Sequence, residues 1–149
     1  MPESTIGLVA ALATLVVNGA AAALGGLLWW RVRTSDVAWR LLRVGQAVAG
    51  LQALAAGVLA LAGYDPPDGL YWLYALLPVA IGFIAEQIRV VSAEQVLENR
   101  GLPDAHAVGE LPEAEQRSIV LSVLRRELGV LSLAALTVAL LALRAALIV

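Results

Sequence analysis

Residues Gly82–Val91 read GFIAEQIRVV. Their reading decides the fold, because Glu86, Gln87 and Arg89 interrupt an apolar run that opens at Leu70. A charge at the centre of a bilayer costs ~2.5–3.5 kcal/mol on insertion scales, and less toward the edges. At ~1.5 Å per residue Glu86 lies about 24 Å from Leu70, near the far boundary of a ~30 Å hydrocarbon core. The stretch is therefore first the exit of a membrane helix, and second a candidate site.

Helix formers continue past the exit. In SAEQVLENRGLP, Gly101 suits the left-handed position after a helix, Leu102 the hydrophobic contact that follows, and Pro103 the stop. The third helix is then about 30 residues long, with roughly a third of it beyond the membrane. LPEAEQRS starts the next helix early, with Pro112 near its first position and Glu113 and Glu115 in its first turn. The two extensions, residues 92–127, form an antiparallel cytoplasmic helical hairpin. Val96 and Leu97 are expected to face Ile119, Val120 and Leu124, and Glu94 or Glu98 to meet Arg117. The tip GLPDAHAVGEL, with few charges, suits a partner contact.

Outward from that helix, three further apolar segments have spanning length, giving four in all at about Ile6–Trp30, Leu41–Gly63, Leu70–Val91 and Leu128–Ile148. Composition agrees: 60% of the 149 residues are hydrophobic, against ~45–50% in soluble chains. The fold class is thus all-α, a single polytopic membrane domain built as a four-helix bundle. The ten basic residues are all Arg, and nine fall in or beside the segments joining spans one to two and three to four, with Arg144 alone at the other side. The positive-inside rule then places both termini outside a bacterial-type cytoplasmic membrane. Trp29, Trp30 and Trp39 suit one interface, and Tyr64, Tyr71 and Trp72 the other. MPESTIG lacks the basic region of a cleaved signal peptide.

Polar residues inside the spans are the candidate functional groups. Gln46, Glu86, Gln87, Arg89, Arg125 and Arg126 fall at one level and suggest a polar collar. That collar suits arginines snorkelling to lipid phosphate, an ion or proton site at Glu86, or an anionic lipid headgroup at the arginines. Pro78 and Gly82 share a stripe with Glu86 and suggest a helix bend. Asn18 and Gln52 are both expected near mid-membrane, where an amide needs a partner, so a hydrogen bond between them is expected. Small residues recur around them at Gly7, Ala11, Thr14, Ala22 and Gly25, and at Gly45, Ala49, Ala56, Ala60 and Gly63. Such faces favour tight packing of helices, within one chain or between copies.

Several functions are excluded by what the chain lacks. Without cysteine there is no disulfide or thiolate site, and without lysine no Schiff base. His106 is the sole histidine, and no HExxH, GxSxG or phosphate-loop motif occurs. A net charge of −2 gives no nucleic-acid signal. The expectation is a non-enzymatic membrane protein with no cofactor or metal, acting through assembly as a homo-oligomer or as an accessory subunit of a larger complex. The alternatives are transport at Glu86 and binding of a lipid or hydrophobic ligand.

Overall fold

The computed structural model describes residues 3–149. These residues form five helices: α1 (Glu3–Trp30), α2 (Asp36–Leu61), α3 (Leu70–Asn99), α4 (Ala105–Gly109) and α5 (Glu113–Ile148). All but α4 are long and apolar enough to cross a membrane. They alternate in direction. α5 packs extensively on α1 and α3, α2 packs mainly on α1, and the seam between α2 and α3 is slight. The connections 31–35 and 100–112 lie at one end, with nine of the ten arginines in them or in the adjoining helix segments. Arg144 lies toward the opposite end, over the ring of Tyr74 at 6.0 Å.

Three helix ends share one solution to the problem of orphan carbonyls. Leu102 N–H bonds to the Leu97 carbonyl and Gly101 N–H to that of Glu98, with Gly101 at φ 68°. Tyr64 and Gly63 repeat the pattern on Leu59 and Ala60, with Gly63 at φ 83°. Arg33 and Val32 repeat it on Leu28 and Trp29, but there the left-handed residue is Val32, at φ 52°.

Small side chains let the helices meet. Gly7, Ala11, Thr14, Asn18, Ala21 and Gly25 form the buried face of α1. A Cβ on Gly7 would sit 2.6 Å from Val149 and 2.7 Å from the Tyr71 hydroxyl, and one on Gly25 would collide with Ser132 Oγ. The expected small-residue stripe thus exists, with Ala21 in the place expected of Ala22, and it is used inside the chain. Tyr71 is 2% exposed and packs edge-to-face with Tyr64 and Trp72 at centroid distances of 6.3 and 5.2 Å.

Three local expectations need correction. α2 starts at Asp36, five residues before the apolar segment at Leu41, because DVAW already turns as helix behind Ser35. Pro112 precedes α5 as its N-cap, at φ −56° and ψ 145°, where it adopts extended backbone instead of the first helical turn. Arg117 pairs with Glu113 on its own helix at 3.5 Å, one turn away, and not with Glu94 or Glu98. α4 was not anticipated. Asp104 Oδ1 caps it by accepting from Ala107 N–H at 2.9 Å, and the Gln116 amide ties the connection to α5 through Gly109 and Leu111 carbonyls.

Candidate functional site

The slack seam between α2 and α3 is bridged at one level by a charged cluster. Arg43 lies one turn before Gln46 on α2, so both side chains reach Glu86 on α3. Arg43 Nη1 donates to Glu86 Oε1 at 2.5 Å and to Gln46 Oε1 at 2.7 Å. Gln46 Nε2 donates to the same Glu86 oxygen at 2.8 Å. The other oxygen, Oε2, accepts from Arg89 Nε at 2.9 Å, an i,i+3 pair within α3. Arg89 then reaches across to Glu127 on α5 at 3.7 Å. Two guanidiniums and two carboxylates leave the cluster neutral, which lowers its cost in a weakly polar setting.

Of the expected collar, Gln46, Glu86 and Arg89 share one hydrogen-bonded group, and Gln87, Arg125 and Arg126 lie outside it. Gln87 is exposed and makes no side-chain hydrogen bond among the described residues. It lies one residue, about 100° of helix rotation, from Glu86 and so points elsewhere. Arg125 and Arg126 do not reach Glu86; they line a separate pocket with Trp29 and Arg100. Arg43 and Glu127 take the open places. Arg43 was signalled by its one-turn spacing from Gln46, whereas nothing in the sequence ties Glu127 to Arg89.

Below the cluster a cavity of about 260 Å³ opens along the α2–α3 seam, lined among others by Asn18, Gln46, Gly50, Pro78, Gly82 and Glu86. Pro78 is fully buried, and α3 continues as helix through it and Gly82. A Cβ on Gly82 would meet nothing within 4 Å, so this glycine faces the cavity instead of admitting a close neighbour. At the cavity's back wall, Asn18 Nδ2 donates to the carbonyls of Thr14 and Gly45, both at 3.1 Å.

The expected Asn18–Gln52 hydrogen bond does not form. Gln52 lies seven positions beyond Gly45, about 10.5 Å further along α2. Asn18 meets α2 at Gly45, which leaves Gln52 beyond its reach. Gln52 is 2% exposed, and neither polar atom of its amide has a partner among the described residues. Buried polar groups are nearly always hydrogen-bonded, which makes this amide an exception.

Comparison with models of known protein families, with curated proteins and with solved structures yields no match.

Proposed function

We propose that this is a non-enzymatic integral membrane protein that acts through assembly, as a homo-oligomer or a subunit of a larger membrane complex. In this reading α3 and α5 extend as a helical hairpin into the cytoplasm, the arginine-rich end is inside, and both termini are outside. The observation that carries it is an almost wholly apolar groove of about 310 Å³ among α3, α4 and α5, lined by Leu97, Ala105, Val108, Ile119, Val120 and Leu124. These residues lie beyond the apolar spans, so the hydrocarbon of a bilayer does not cover them. Apolar surface left in water forfeits ~25 cal/mol per Å², and grooves of this kind mark contacts with another chain. Native mass spectrometry from a mild detergent tests the proposal. The expected mass exceeds the 15.6 kDa of one chain by at least one further subunit, and Leu97→Glu with Val120→Glu returns it to one chain. A wild-type protein that stays at one chain at every concentration would sink the reading.

A second reading, ion- or proton-coupled transport at Glu86, is favoured by one observation: Glu86, Pro78 and Gly82 line the same cavity. Against it stands the carboxylate's full set of donors from Arg43, Gln46 and Arg89, which makes Glu86 better suited to latching α2 to α3. Flux in proteoliposomes separates the two. Transport requires that Glu86→Gln abolish proton- or cation-dependent flux, while assembly predicts an unchanged oligomeric mass.

A further inference from the structure

We infer that Trp29, Asn99, Arg100, Ser122, Arg125 and Arg126 form a binding site for the phosphate of an anionic phospholipid, whose acyl chain lies in the adjoining groove between α1 and α5. The inference rests on reading the four long helices as membrane spans, and is independent of the assembly proposal.

The six side chains line a pocket of about 470 Å³ at the arginine-rich end. Its three guanidiniums differ from those of the Glu86 cluster. Arg43 and Arg89 each have a carboxylate within 4.0 Å, as Arg117 does outside that cluster, and Arg100, Arg125 and Arg126 have none among the described residues. No carboxylate lines the pocket. Two of the three are held in place by neutral contacts. Arg100 Nη2 donates to Ser118 Oγ at 3.2 Å. Arg125 lies over the Trp29 ring, 5.5 Å from its centroid. Trp29 in turn rests on bare backbone, since a Cβ on Gly129 would sit 2.8 Å from its Nε1. Planar guanidinium forks with hydroxyl and amide donors beside them match the several acceptor oxygens of a tetrahedral phosphate.

The depth and the neighbour of this pocket select a lipid over a soluble phosphate. Arg125 and Arg126 lie within three residues of the apolar stretch that begins at Leu128, with Glu127 between and turned to Arg89, and there the headgroup layer meets hydrocarbon. Trp29 also forms one end of a second, largely apolar groove of about 530 Å³, lined by Gly19, Ala22, Ala23, Gly26, Gly129 and Leu133. Gly19 and Gly26 would meet nothing within 4 Å of an added Cβ. Glycine weakens a helix relative to alanine, and no contact inside the chain uses these two. An acyl chain laid in the groove does. A cationic pocket continuous with an apolar groove is complementary to an amphiphile with an anionic head.

The test is native mass spectrometry of delipidated full-length protein titrated with phosphatidylglycerol, phosphatidylcholine or inorganic phosphate. Phosphatidylglycerol is expected to bind as one discrete equivalent and more tightly than phosphatidylcholine. Arg125→Gln with Arg126→Gln should weaken it roughly thirty-fold, from the worth of two basic residues at an anionic lipid surface. Arg100→Gln serves where the double variant fails to fold. Ala23→Leu fills the groove without changing charge, and should weaken phosphatidylglycerol but not phosphate. Arg144→Gln, toward the opposite end, should change nothing. Equal retention of the two lipids, or folded arginine variants that bind as the wild type does, would overturn the site. Competition by millimolar inorganic phosphate together with an inert Ala23→Leu would overturn the lipid as occupant in favour of a soluble phosphate compound.

Discussion

Val32 holds a backbone conformation that β-branched residues avoid, at φ 52°, because the turn out of α1 demands a left-handed residue. That conformation costs an L-residue ~1–2 kcal/mol, and glycine escapes it at some entropic expense. Val32→Gly should therefore stabilise the protein by about 0.5–1 kcal/mol in thermal unfolding in detergent. Gly101 was legible in the sequence as a helix stop because glycine and proline advertise such turns; Val32 advertises nothing. Glycines inside α2 and α3 make a sharper comparison. A Cβ on Gly45 would lie 2.7 Å from Asn18 Oδ1, so Gly45→Ala should cost ~1–3 kcal/mol. Gly82 faces open space, so Gly82→Ala should be neutral or stabilising by up to ~1 kcal/mol. Gln52 supplies a third test. Its amide is buried without partners, so Gln52→Leu, of similar volume, should stabilise by about 1–3 kcal/mol. Destabilisation instead would reveal an internal water or ligand on that amide.

The four long helices were legible from length and apolarity alone, and the stop at Gly101 set the length of α3. The rotation of each helix about its own axis was not legible, because a helix in lipid can be apolar all round. Depth counted along the sequence puts Arg125 and Arg126 level with Glu86, and Asn18 level with Gln52, while azimuth, which separates the two arginines from Glu86, is not written in the apolar pattern. At this scale Glu86 acts as a cross-brace between α2 and α3, which otherwise touch only slightly. Glu86→Gln keeps the shape but leaves Arg43 and Arg89 short of a counter-charge. It should lower stability by about 1–3 kcal/mol, and hydrogen exchange should rise in α2 and α3 before α1 and α5. Uniform loosening of all four helices would contradict the bracing role.

The whole molecule is sorted by charge, with arginines concentrated at one end of an apolar bundle. The absence of cysteine makes its orientation easy to measure with single-cysteine variants and an impermeant maleimide. Asp65→Cys should label in intact cells and Thr34→Cys only after lysis; the reverse pattern would invert the proposed topology. The packing also has a consequence in time. α5 is the helix against which both α1 and α3 lean most heavily, and synthesis delivers it after the other three spans. During translation the early helices are complete before the partner that packs on two of them exists, with α3 joined to α2 by little more than a salt-bridged latch. A chain interrupted before residue 113 keeps the α1–α2 pair and loses the wedge that closes the bundle.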